Sequence, residues 1–372
     1  MKTKISVFQL FASIVMFESG TAVFFYLASD TKQDAWITIL IYVLPAIILQ
    51  IIYTSLWKDY PQDNVMTYMP KIFGKFIGYF LSVIYIIYFI YGASRVLRDL
   101  SELMSIAVLP KIPLILTSFM LIIITCYAVF SGIESICRIA ATFLFVFLCF
   151  FILSFIFLST TPDVFRIRNL KPVIHSGLLF LIKKGWTLMT FPFGESLVFS
   201  TLYPFVVESK KVRKYAIAAN ILEGIILSST SIMVVSTLGV KLAQTSLFPL
   251  LQTFRVIKVG SAFDRLDILV VVILLFGVFF KMSFFIYAAM VGTASLIKFN
   301  NIKYLSIPIS IIVLIASEFI AQNYPQHIKI GLDFTVKYIH VPMLLIIPIL
   351  ALIVVNLKKL KERKKVRMQK RN

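Results

Sequence analysis

Ten apolar stretches constrain this chain more than any other feature. They lie at residues 5–29, 35–56, 77–98, 112–130, 139–159, 180–206, 215–238, 264–292, 304–322 and 340–357. Each has close to the 20 or so residues that a helix needs to cross about 30 Å of hydrocarbon. Of the 372 residues 59% are hydrophobic and only 15% charged, whereas soluble domains average about 45–50% apolar and about 25% charged. No water-soluble fold hides that much apolar surface. The expected fold is an all-α integral membrane protein of about ten transmembrane helices, forming a single membrane domain over residues 1–372. Disorder, a collagen-like fibre and a disulfide scaffold are excluded by the same composition.

The net charge is +20. In a soluble protein that imbalance suggests nucleic acid, but here the basic residues sit between apolar runs and in the tail, and membrane topology accounts for them. The opening Met1-Lys2-Thr3-Lys4 resembles a signal peptide. Its apolar run is too long for one, contains Gln9 and Glu18, and lacks a small-x-small cleavage site, so it reads as a retained first span. With a cytoplasmic N-terminus, 21 Lys and Arg fall inside and 15 outside, and Lys281 lies within a span. Without the tail the balance is 12 to 15. The basic tail, 358–372, therefore decides the orientation, with both termini cytoplasmic, and it also attracts anionic membrane lipid. Two outer connections are long, 160–179 and 239–263. The second carries an amphipathic stretch, LAQTSLFPLLQTFRVIKV, expected as a short helix on the outer surface.

Two spans carry interruptions. The first reads Phe17-Glu18-Ser19-Gly20-Thr21 near its centre, and the sixth reads Thr190-Phe191-Pro192-Phe193-Gly194-Glu195-Ser196. Each sets Gly and a carboxylate at membrane depth, and Pro192 removes a helix hydrogen bond. These spans open two halves of five helices, 5–159 and 180–357. Paired breaks at matching positions point to a transporter-type site at the membrane midplane. Glu18, Ser19, Gly20, Thr21, Phe191, Pro192, Phe193, Gly194 and Glu195 are the expected ligand-binding residues.

The sequence resembles the GerAB-type spore germination permeases, the B subunits of nutrient germinant receptors. The resemblance rests on the opening KISVFQLFASIVMFESGTAV, on QDAWITILI after the first span and on NLKPV before the sixth. It continues through FPFGESLVFSTLYPFV and RLDILVVVILLFGVFFKMSFFIYAA. Glu18 departs from the more apolar lead into Gly-Thr expected there. The family looks like a branch of the amino acid–polyamine–organocation superfamily. The resemblance implies a LeuT-like fold of two inverted five-helix repeats, broken in helices 1 and 6. It also implies two partners, an A-type membrane subunit and a C-type lipoprotein, and a home in the inner membrane of the spore.

Lys281 lies inside the eighth span, where a lone charge costs about 2.5–3.5 kcal/mol. Its depth matches Glu195 and Glu223, so a buried ion pair with one of them, or a proton path, is expected. Glu318 reads as solvated near the outer end of span nine. Arg95, Arg98, Asp99 and Glu102 have the spacing of local ion pairs. The cysteines (Cys126, Cys137, Cys149) show no metal spacing, and the histidines (His175, His327, His340) fall at outer segment ends without ligand spacing. Neither a metal nor a cofactor is implied, and no hydrolase, zincin or Walker pattern suggests an enzyme.

The leading expectation is a nutrient-sensing subunit that binds a small ligand, an amino acid by preference, at the two breaks. A proton-coupled amino acid transporter is the alternative, and a lining of an ion path and an assembly scaffold are further ones. The orientation is checked by single cysteines at Ser176 and Gln369 in a background lacking the native three. An impermeant thiol reagent applied to intact cells should label Ser176→Cys and leave Gln369→Cys unlabelled. Labelling of Gln369→Cys reverses the topology.

Overall fold

A computed structural model describes residues 4–161, 164–255 and 266–369. Apart from one isolated bridge between Ile5 and Val206, regular structure among these residues is helical. In chain order the helices are α1 (Val7–Ala22), α2 (Ala35–Asp59), α3 (Val65–Phe73), α4 (Lys75–Ala107) and α5 (Leu114–Ser131). They continue as α6 (Ile133–Thr160), α7 (Leu178–Gly185), α8 (Val212–Thr245), α9 (Pro249–Arg255) and α10 (Leu266–Ile297). The last are α11 (Ser306–Phe319), α12 (Tyr324–Lys329), a π-helical stretch Ile330–Ile346, and α13 (Ile347–Gln369). Among the described residues, eight helical runs are long and apolar enough to cross a membrane. Apolar side chains left uncovered on α4 and α11, such as Phe76 (90% exposed) and Phe319 (86%), suit hydrocarbon. The protein is a multi-pass membrane protein.

The two expected spans that fall short are the interrupted ones. Helix α1 starts at a capping box, with the Ser6 hydroxyl accepting from Gln9 N at 3.1 Å and the Gln9 side chain accepting from Ser6 N at 2.8 Å. Its 16 residues rise about 24 Å at 1.5 Å each, short of a full crossing. The helix does not open at Glu18–Thr21, as the sequence suggested. It stays regular through Ala22 and gives way to turns at residues 23–28. Gly20 serves a different need. A Cβ there would stand 2.8 Å from the Gly277 carbonyl oxygen and 2.9 Å from Lys281 Cβ, so its missing side chain lets α1 touch α10.

The sixth stretch is broken outright. Helix α7 ends at Gly185, and 3-10 turns follow at Trp186–Met189, Phe193–Thr201 and Tyr203–Phe205. Pro192 offers no N–H, and its carbonyl accepts from Glu195 N at 3.1 Å, the tighter i+3 pattern. Hydroxyls take up further carbonyls, Ser196 donating to Phe193 O at 2.6 Å and Thr201 to Val198 O at 2.7 Å. All nine residues of Phe193–Thr201 are buried. Irregular backbone survives at membrane depth only where protein covers it.

The two interrupted stretches meet where α1 begins. Ile5 N donates to Phe205 O and Val207 N to Ile5 O, each at 3.0 Å. Lys359 of α13 pairs with Asp59 at the end of α2, and Trp57 packs on Tyr203 with ring centroids 5.6 Å apart. The chain start and the basic tail therefore share one face. The tail is helical as far as Gln369.

Two expectations need correction. The tenth span starts at Tyr324, not 340, because the π-helical stretch continues α12 into α13. Pro342 has no N–H to give the regular ladder, and hydroxyls serve the widened backbone, Tyr85 donating to Met343 O and Tyr53 to Leu344 O at 2.7 Å each. The amphipathic stretch becomes α9, with Leu250, Leu251, Thr253 and Phe254 buried by protein rather than lying along the surface. Residues 256–259 of that stretch, and 264–265 of the expected eighth span, lie outside the described residues.

Gly20→Ala should force α1 away from α10 and lower stability by about 1–3 kcal/mol. The midpoint of unfolding in mixed micelles measures this, with lipid-facing Ile124→Val as the control that leaves it unchanged.

Candidate functional site

Four elements bring one lysine and three glutamates into the protein interior. Glu18 comes from α1, Glu195 from the broken sixth stretch, Glu223 from α8 and Lys281 from α10. Lys281 Nζ stands 2.5 Å from Glu195 Oε2, their side chains 1% and 6% exposed. The Phe17 and Phe191 rings each lie 5.0 Å from the ammonium and add cation–π attraction. Glu223 Oε2 accepts from the Ser19 hydroxyl at 2.6 Å. Glu18 is fully buried, and neither of its oxygens has a well-formed hydrogen bond, the Ser196 hydroxyl being a nearby donor.

Beside the Lys281–Glu195 pair is a cavity of about 50 Å³. Of the expected ligand residues, Thr21, Phe191 and Glu195 line it, together with Lys281. The others do not. Ser19 faces Glu223, and Gly20 faces Gly277. Pro192, Phe193 and Gly194 are buried away from the cavity, and a Cβ on Gly194 would come within 2.7 Å of Met189 O and 3.3 Å of Leu344 Cβ. Gly194 thus fits the sixth stretch against the π-helical stretch rather than forming a cavity wall.

Beneath the break, Gln50 of α2 donates to Ser196 and to Asn220 of α8 (3.3 Å), fixing the 3-10 turn between two helices. A second cavity of about 420 Å³ opens toward the face opposite the termini, lined by Tyr26, Asp30, Lys183, Trp186 and Lys337. It shares Phe191 and Leu332 with the inner cavity, so these two side chains form the partition.

The remaining walls come from α4, where the sequence suggests packing by a tyrosine stripe with one hydroxyl able to face the cavity, and from the Tyr324–Ile346 run, which the sequence did not single out. His340 is buried in the π-helical stretch, with Nε2 3.8 Å from Glu195 Oε1 and its ring edge-on to Tyr88 at 5.7 Å. His327 is fully buried, Nε2 3.2 Å from Asp99 Oδ1, and Tyr324 donates to the same oxygen at 3.2 Å. These two histidines are interior groups, not outer segment ends. The expected local pairing on α4 holds for Arg98 and Glu102 at 2.9 Å, whereas Asp99 turns to α12. Glu318 is partly covered and accepts from Ser118 at 3.0 Å. The stripe Tyr85, Tyr88, Tyr91 was the available signal, since extending it by helical spacing reaches Arg95 and Asp99.

A buried charge stranded by loss of its partner costs about 3–5 kcal/mol, more than loss of both. Lys281→Met should therefore lower membrane abundance and the unfolding midpoint. Combining it with Glu195→Gln should restore much of both, whereas combining it with Glu223→Gln should not. Quantitative immunoblotting and unfolding of the three variants check this.

The spore germination protein family matches residues 4–325 of the chain. Spore germination protein KB of Bacillus subtilis (strain 168) is 36% identical over 367 residues, covering 98% of this chain and 97% of the relative. Spore germination protein YndE of the same organism is 26% identical, covering 72% and 73%. Spore germination protein XB of Bacillus anthracis is 28% identical, covering 70% and 72%. The chain belongs to the spore germination protein family, among its GerAB-type permeases.

Proposed function

We propose that the protein is the membrane subunit of a spore nutrient-germinant receptor that binds a small nutrient, an amino acid, in the inner cavity. The observation that carries this reading is the convergence of Thr21 at the end of α1 with Phe191 and Glu195 of the broken sixth stretch around one cavity. Its volume of about 50 Å³ is room for roughly three to five waters at about 10–15 Å³ each, the scale of a compact metabolite. The C-terminal end of α1 carries the negative end of a helix dipole, which favours an ammonium. Phe25 and Phe191, 6.2 Å apart, supply an apolar wall for a side chain.

The short first helix and broken sixth stretch, joined at Ile5 and Phe205, support a LeuT-like arrangement of two inverted repeats, 5–159 and 180–357. The receptor sits in the inner membrane of the spore with both termini cytoplasmic. Its signal passes to an A-type membrane subunit and a C-type lipoprotein. A ligand drives such a change only through tighter binding to one of two states. Buried Glu18, Glu195, Glu223 and Lys281 favour a second reading, a proton-coupled amino acid transporter with the same cavity.

Spores carrying Thr21→Leu should need about tenfold more amino acid for half-maximal germination, at unchanged subunit abundance. A normal dose–response removes the cavity from the nutrient site. Concentrative uptake of labelled amino acids by vesicles of the purified subunit under a proton gradient would favour the transporter.

A further inference from the structure

We infer that Arg95 forms a carboxylate subsite in the inner cavity, so that the ligand is recognised as a carboxylic acid and not merely as an amine or a neutral polar molecule. The inference rests on the nutrient-binding reading of the cavity and names the group that reading leaves unassigned.

Four charged residues line the cavity: Arg95, Asp99, Glu195 and Lys281. Three have partners of complementary chemistry. Lys281 and Glu195 stand 2.5 Å apart, and Asp99 faces His327 Nε2 and the Tyr324 hydroxyl, each at 3.2 Å. Arg95 differs. Among the described residues no carboxylate comes within ion-pair distance of its guanidinium, and the nearest acidic residue on its own helix face, Asp99, is turned to α12. Its protein contacts are the His327 carbonyl oxygen at 2.7 Å from Nη2 and the Tyr91 hydroxyl at 3.5 Å from Nη1. A guanidinium has five N–H donors in a fixed fork, so most remain for a ligand.

The side chain is also held in place. Its guanidinium carbon lies 5.9 Å from the Tyr91 ring centroid, and a Cβ on Gly331 would fall 2.3 Å from Nη2. Gly331 therefore leaves the space that the guanidinium occupies. Tyr91 and Thr335, whose hydroxyls are hydrogen-bonded to each other at 2.7 Å, line the same wall and leave one hydroxyl hydrogen to donate. A planar fork fixed beside two hydroxyls matches the two oxygens of a carboxylate. A partly desolvated cation without a carboxylate in contact also gains more from an anion than from a neutral group.

The test uses the full-length protein in lipid nanodiscs and three matched pairs: glycine and glycinamide, L-alanine and L-alaninamide, L-valine and L-valinamide. Each amide keeps the amine and the side chain but loses the negative charge. Calorimetric titration should show at least one acid binding the unaltered protein about tenfold or more tighter than its amide. Arg95→Gln should bring that acid down to the affinity of its amide and leave the amide unchanged, with Arg95→Lys between. Arg95 also ties α4 to α12 through His327, and a purely structural role predicts a different result, equal loss of acid and amide. That equal loss, or retention of the acid preference in Arg95→Gln, overturns the subsite. If acid and amide bind alike to the unaltered protein and both are lost in Thr21→Leu, the subsite falls while the nutrient cavity stands. If none of the six compounds binds, both readings fall.

Discussion

An ammonium group at membrane depth must be neutralised, and the way Lys281 meets this requirement organises the centre of the protein. Its carboxylate partner, Glu195, stands on a segment that proline prevents from being a continuous helix. The ion pair thereby pins that irregular segment to α10, an apolar helix of 32 residues. Phe17 and Phe191 close over the ammonium from α1 and from the break itself, so the pair is shielded by rings whose faces attract a cation. Lys281 Cβ touches the position a Gly20 side chain would fill. The charge pair and the close crossing of α1 on α10 thus share one residue, Lys281.

A second constraint follows from the missing water. Every peptide group freed by a 3-10 or π turn needs a partner inside the protein. The partners come from side chains on the regular helices: Tyr53 of α2 donates to both Gly194 O and Leu344 O, at 3.2 and 2.7 Å, and so joins the sixth stretch to the π-helical one. Gln50, one turn earlier on α2, secures Ser196. Helix α2 therefore acts as a rigid rail that holds two irregular segments in register. This is why the irregular segments can sit beside an internal cavity without collapsing into it.

Much of this was legible in the chain because membrane burial is a harsh filter. Apolar runs mark spans, and a lysine inside one demands a carboxylate at its own depth, which leaves few candidates. Pro192 and Gly194 mark the sixth break for similar reasons. The first break was misplaced because FESGT resembles a helix opening, whereas Gly20 answers to Gly277, 257 positions away in the chain. No local window contains that contact. His327 and His340 were misjudged for a related reason. The stretch before residue 340 carries Asp333, Lys337 and His327 and looks like a loop, yet it is helical because α4 supplies buried polar partners, Asp99 and Tyr91. Polar residues read as exposed when the groups that satisfy them lie on a distant element.

The position of the cavity has a mechanical consequence under the proposed reading. Its walls belong to two kinds of element. Helices α4 and α10 are long and regular, and they carry Arg95 and Lys281. The sixth stretch and the π-helical stretch are irregular, and they carry Phe191, Glu195 and Leu332. A molecule held between Arg95 and Glu195 would link the first kind to the second. The regular helices resist displacement, since shifting them means repacking their whole length, whereas 3-10 and π turns interconvert with α-helix by small changes in hydrogen-bond register. Binding energy that differs between two states is therefore spent on the irregular stretches, and Phe191 and Leu332, the partition to the second cavity, move with them. Receptor and transporter differ only in what this partition does next. In a receptor the shift need only reach a partner subunit. In a transporter it must also open a path on the side of Ile5 and Phe205, where the backbone just before α1 is hydrogen-bonded to the end of the sixth stretch. Those bonds tie the start of the first span to the sixth stretch on the face that holds the termini, and an uptake cycle has to break them while a sensing cycle does not.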